Sequence, residues 1–262
     1  MRSSSGRRKA AAVAKSAAEA AAPRRGLIGR LVRQALDLLA TPAVPRSPLN
    51  LEALEPRLLL SGDPMGARVD GNLDVVGETD RYSFTLTDDL RVVFDSLTNS
   101  GNMRWSLSGP AGSVVADRPL SASDSDSFGG AVAMDLTAGE YTLTVDGAGD
   151  TTGAYGFRLL DVARGTAITP GQVVHGVLDA ANETDVYRFS AAAGQRFFFD
   201  RQASEGSAYW RMLDPLGRVL QGPTWMGSDS GVIGAALDGV YTLLIEGSSS
   251  ATGTSAYTFA LQ

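Results

Sequence analysis

The chain contains no cysteine and one histidine, His175, among its 262 residues. The first absence excludes a disulfide framework, Cys-ligated zinc or iron–sulfur centres, and a thiol nucleophile. The second excludes HExxH sites and any multi-histidine metal centre. No uninterrupted apolar run approaches the ~18 residues of a membrane-spanning helix. No GxSxG elbow offers a serine nucleophile. Asp146-Gly147-Ala148-Gly149-Asp150 superficially suggests a phosphate loop, but it joins two strand-like stretches and opens no helix. The chain therefore reads as a non-enzyme.

What is present is divided by charge. Residues 1–60 hold 11 Lys/Arg against four acids, a net +7, and the other 202 residues hold 12 against 25, a net −13. Such asymmetry marks a tail or targeting segment on a separate folded body. Residues 1–48 read as a basic, partly helical segment. Leu27, Ile28, Leu31, Val32, Ala35, Leu38 and Leu39 recur at helical spacing, so 27–39 is expected to be a basic amphipathic helix that meets a membrane surface or the export machinery. Lys15, Glu19, Arg30, Arg33 and Asp37 interrupt the continuous apolar region that a cleaved signal peptide requires.

Residues 49–62 contain Leu54-Glu55-Pro56-Arg57-Leu58-Leu59-Leu60. This resembles the LEPR-XLL motif found near the amino terminus of large surface or exported bacterial proteins. The resemblance implies export. Read from the residues alone, 58–60 also suits a short strand packed on the first domain.

The acidic body is a duplication. Glu78-Thr79-Asp80-Arg81-Tyr82-Ser83-Phe84 matches Glu183-Thr184-Asp185-Val186-Tyr187-Arg188-Phe189 at a displacement of 105 positions, which also superposes Gly71 on Gly176, Trp105 on Trp210 and Pro110 on Pro215. Gly139-Glu140-Tyr141-Thr142-Leu143 then meets Gly239-Val240-Tyr241-Thr242-Leu243. Period-two alternation of Tyr, Phe, Leu and Val between Gly/Ser/Asp/Pro turns makes both copies all-β. The expected architecture is two tandem jelly-roll-like β-sandwiches over 63–162 and 168–262, joined by a short linker at 162–171.

The second copy resembles the bacterial pre-peptidase C-terminal domain. The resemblance lies in Glu183-Thr184-Asp185-Val186-Tyr187-Arg188-Phe189, Ala193-Gly194-Gln195-Arg196, Leu213-Asp214-Pro215-Leu216-Gly217 and Gly239-Val240-Tyr241-Thr242-Leu243. The first copy departs at Thr87-Asp88-Asp89-Leu90-Arg91 and at Gly109. The resemblance implies a non-catalytic β-sandwich appended to secreted proteins, some members of the family binding calcium, carbohydrate or collagen-like substrates.

Hard oxygens supply the calcium candidates: Asp80 and Asp185 with the neighbouring acids Asp74, Glu78, Asp179 and Glu183, and Asp124 with Asp126 in a Ser-Asp-Ser-Asp-Ser run. The competing readings are an Asp that accepts turn N–H groups, and a solvated polar loop. No cofactor is called for beyond this possible calcium. Trp105 and Trp210 read as core. Trp225, which the displacement aligns with Leu120, and Tyr209, which has no aromatic counterpart, are the carbohydrate candidates. His175 reads as a surface turn residue. Nucleic-acid binding is disfavoured for so acidic a body.

The sequence thus points to an extracellular or cell-surface, non-catalytic binding or spacer module with a carbohydrate or protein ligand. Its alternative is the accessory region of a secreted hydrolase, such as a peptidase, whose catalytic domain lies outside these residues.

Overall fold

The computed structural model describes residues 57–59 and 65–262. The 1–48 segment, its amphipathic stretch at 27–39, and all of the 49–62 motif but 57–59 lie outside the described residues. The first sandwich is built from β1 (Arg57–Leu59), β2 (Arg68–Leu73), β3 (Thr79–Leu86), β4 (Leu90–Ser96), β5 (Met103–Gly109), β6 (Gly112–Pro119), β7 (Ala133–Leu136), β8 (Gly139–Gly147) and β9 (Gly153–Asp161). The second uses β10 (Thr166–Ala167), β11 (Val173–Asp179), β12 (Thr184–Ala191), β13 (Arg196–Ser204), β14 (Ala208–Leu213), β15 (Val219–Trp225), β16 (Val232–Gly234), β17 (Gly239–Gly247) and β18 (Thr254–Leu261).

Each copy is a jelly roll. The sheet orders β1-β3-β8-β5-β6 and β2-β9-β4-β7 recur as β10-β12-β17-β14-β15 and β11-β18-β13-β16. The expected all-β class and the duplication are both present. β1 runs parallel to β3, as β10 runs parallel to β12. Arg57–Leu59, the end of the LEPR-like motif, is thus an edge strand of the first sandwich. The linker is likewise structured: Asp161 accepts a hydrogen bond from Ala163 N, and β10 then joins the second domain.

The aromatic pattern generates duplicated cores. Phe94 stacks on Trp105 at 3.8 Å and Phe199 on Trp210 at 4.4 Å, with Phe157 and Phe259 extending the stacks. Offset-stacked rings of this kind add about 0.5–1.5 kcal/mol to their burial. Gly71 and Gly176 are required by close approach, because a Cβ at either position would overlap the Tyr155 or Tyr257 ring. That constraint also explains why the sequence around His175 looks like a turn. His175 instead lies on β11, exposed, with Nδ1 3.1 Å from Thr258 Oγ1.

The two sandwiches share a third hydrophobic cluster. Val93, Val132, Leu160 and Val162 of the first pack with Leu213 and Leu244 of the second. Val93, Leu160, Leu213 and Leu244 occupy the outward faces of β4, β9, β14 and β17, the faces opposite Phe94, Leu159, Met212 and Leu243, and Val132 and Val162 join them from the segments beside β7 and after β9. A sandwich exposing so many aliphatic side chains must cover them, and here each copy covers the other.

Candidate functional site

A charged network runs through the apolar seam between the copies. Arg158 on β9 binds Asp95 at 2.6 Å and reaches across to Glu183 at 3.0 Å and to Thr184 O at 2.9 Å. From the other side, Arg211 on β14 is fully buried. Its Nε donates to Glu246 Oε2 at 3.1 Å, and its Nη groups donate to Ser125 O, Phe128 O and Gly130 O of the first sandwich. Glu246 Oε1 accepts Ser125 N, so the pair grips residues 125–130 through both donors and acceptors. Burial raises the pKa of Asp95, Asp124 and Glu246, and for Asp124 the negative charges of Asp95 and Glu246 add to it.

This network places the calcium candidates. Asp124 is buried and accepts Ser96 N at 2.6 Å. Its echo Asp229 accepts Arg201 N at 3.0 Å. Both carboxylates stitch a loop to the strand beside it, so Ser123, Asp124 and Ser125 are not a solvated loop: none exceeds 2% exposure. Asp80 and Asp185 do not take turn N–H groups but Tyr hydroxyls. Tyr155 donates to Asp80 and Tyr257 to Asp185, each at 2.5 Å, and a second phenol, Tyr82 or Tyr187, joins each hydroxyl. Glu78 and Glu183 instead bind the N–H groups of Asp74 and Asp179 four residues earlier. Among the described residues no three acidic, His or Cys side chains converge as a metal site.

The fourth candidate, Asp126, stands apart because it is exposed, in the short 3-10 turn Ser125–Ser127. It follows Ser125, whose backbone the Arg211–Glu246 pair holds. The Tyr209 phenol faces it, and burial together with the Asp126 charge raises the Tyr209 pKa. Tyr209 in turn is the cross-strand partner of Trp225. Directly opposed residues on neighbouring strands share one face of the sheet. The structure therefore gathers Asp126, Tyr209 and Trp225, which the sequence had divided between two chemistries, into one surface site.

Trp225 is the exposed tryptophan. It is 54% exposed, against 1% for Trp105 and 0% for Trp210. A Cβ at Gly227 would overlap the Trp225 ring, so the indole rests against the Gly227 backbone and its orientation is set by that contact. The alignment of Trp225 with Leu120 shifts by one residue. The β14–β15 turn between paired Leu213 and Val219 is one residue longer than the β5–β6 turn between Ser108 and Ser113. Met226, at 0% exposure, thereby occupies the core place of Leu120, and Trp225 is pushed to the surface. The same register sets Arg104 opposite Pro119 where the second copy has Tyr209 opposite Trp225, so the site is present in one copy only.

Sequence reasoning missed Arg158, Arg211 and Glu246, and had Glu183 only as an oxygen beside the Asp185 calcium candidate, where the structure pairs it with Arg158. A signal existed for Arg211: it interrupts the otherwise uncharged run Ala208-Tyr209-Trp210-Arg211-Met212-Leu213, where the first copy has Ser106.

No protein-family model matches the chain, and no curated protein does. Among solved structures, it is similar to the CUB1-EGF-CUB2 domains of human MASP-1/3, with 8% identity, a TM-score of 0.25, and 75% of this chain and 99% of that one covered. The corresponding rat MASP-1 domains give 7% identity and a TM-score of 0.27, with 79% and 99% covered. Vicilin from hazelnut, Corylus avellana, gives 8% and 0.20, with 74% and 73% covered.

Proposed function

We propose that the protein is an exported, non-catalytic tandem β-sandwich that binds carbohydrate at the cell surface through Trp225, Tyr209 and Asp126. The observation that carries this reading is the Trp225 indole, exposed on one face and supported by Gly227 on the other. A flat apolar ring presents a surface for the C–H face of a sugar, and the flanking phenol and carboxylate offer a donor and acceptors for its hydroxyls. The resemblance of Leu54-Glu55-Pro56-Arg57 to an export-associated motif supports the location, and the resemblance of the second copy to an appended secreted domain supports the non-catalytic role.

The test is a pull-down of the full chain on insoluble polysaccharides, comparing wild type with Trp225→Ala. Retention of the wild type and loss in the variant is the expected result. Equal retention of the two would remove Trp225 from the site.

A further inference from the structure

The site is electronegative from two sources. The faces of Trp and Tyr rings carry the negative lobe of the aromatic quadrupole, and Asp126 adds a carboxylate beside them. Among the described residues no arginine forms an ion pair with Asp126. The arginine nearest in sequence on β14, Arg211, is spent on Glu246 and three carbonyls of the seam. Arg118, the penultimate residue of β6, lies over the Phe128 ring at 4.4 Å and the Trp105 ring at 5.4 Å and, among the described residues, pairs with neither Asp126 nor another carboxylate at ion-pair distance. Lysine does not occur anywhere in residues 61–262. The charge missing from this surface is positive, and the body around it is net −13.

We infer that the sugar bound here carries an ammonium group: the ligand is an amino sugar whose nitrogen is not acylated, with its ring on Trp225 and its ammonium between the Tyr209 ring and the Asp126 carboxylate. This rests on the carbohydrate reading above and narrows it to one chemical class. Asp126 accepts a hydroxyl from its own chain, Ser125 Oγ at 3.3 Å, and a neutral sugar would satisfy the indole but add nothing beyond further hydroxyl donors to that carboxylate. An ammonium gains a charge-assisted hydrogen bond and a cation–π contact from the same position. The recognition spans both sandwiches. The second supplies the rings and the first supplies the charge, held in register by the Arg211–Glu246 grip on Ser125.

The test uses two probes, a glucosamine oligomer and the same oligomer fully N-acetylated, each titrated against the full chain below the amine's pKa and at physiological salt. The expected preference for the free amine is about tenfold, the scale of one partly desolvated cation–π contact with one ion pair. Asp126→Asn should abolish that preference and keep the weaker binding of the acetylated oligomer. Trp225→Ala should lose both. Equal binding of the two probes, still dependent on Trp225, would overturn the charge selectivity and leave the carbohydrate reading standing. Amine binding that survives Trp225→Ala and fades with added salt would be bulk attraction to the acidic body, and would overturn the inference. Binding of neither probe would overturn it too, and the polysaccharide pull-down then decides the wider reading separately.

Discussion

Arg211 and Glu246 sit 3.1 Å apart, both fully buried, on adjacent strands of the second sandwich, yet much of what they hold belongs to the first. A buried ion pair alone is weak evidence for stability, since desolvation offsets most of its attraction. Here the remaining donors and acceptors are satisfied by backbone groups at Ser125, Phe128 and Gly130. The pair therefore fixes how one copy stands on the other.

Removing one partner should be far worse than removing both. Arg211→Met leaves Glu246 buried without its cation and should cost about 3–5 kcal/mol. The double variant Arg211→Met/Glu246→Leu should cost less than the sum of the two single changes, because no charge is then left unpaired. Urea unfolding of the four proteins measures this. Additive costs would show that the two side chains act independently.

Acid should stabilise the fold before it destabilises it. Burial raises the pKa of Asp95, Asp124, Glu183, Asp185 and Glu246, so the folded state holds their protons more tightly than the unfolded chain does. Their contribution is fully present below the unfolded value of about 4 and is lost as pH rises through the folded values. Asp214 has the opposite sign: despite its desolvation, Arg218 and backbone N–H groups hold it low, and its contribution disappears on acidification. Five raised carboxyls stand against one lowered one, so the melting temperature should rise as pH falls from neutral toward the unfolded carboxylate range. Asp124→Asn keeps an acceptor for Ser96 N while removing the charge that faces Asp95 and Glu246. It should raise the melting temperature at neutral pH and flatten the profile. A lower neutral-pH melting temperature would mean that the Asp124 charge stabilises the seam.

The duplicated Tyr–Tyr–Asp clusters should behave alike. Tyr155→Phe and Tyr257→Phe each remove the donor to a carboxylate, and each should cost about 1–3 kcal/mol. Gly176→Ala should also destabilise, since Tyr257 would have to leave its place over β11. Denaturation midpoints decide both. A neutral Tyr257→Phe would mean that water replaces the phenol at Asp185.

The duplication, the jelly-roll strands and the buried places of Trp105 and Trp210 were legible because alternation and repeat register are local properties. The candidate site was only half legible. Tyr209 and Trp225 stood out as aromatics without a partner in the first copy, but Asp126 belongs to a different sandwich and joins them only when the domains stack. The seam charges were hidden for the same reason. Arg158 on β9 and Glu183, just before β12, lie 25 positions apart in different sandwiches, and no periodicity within one strand pairs them. The one-residue insertion in the β14–β15 turn was likewise invisible to an alignment at fixed displacement, although it decides which of Trp225 and Met226 faces water.

Two of the three tryptophans are buried and one is exposed, so intrinsic fluorescence reports on the proposed site directly. Titrating the full chain with the glucosamine oligomer should shift the emission to shorter wavelength and protect it from acrylamide, as a sugar covers Trp225. Trp225→Phe should remove both changes and leave the emission of the two core tryptophans. Binding of the oligomer with no spectral shift and unchanged quenching would contradict the account, because the ligand would then lie away from Trp225.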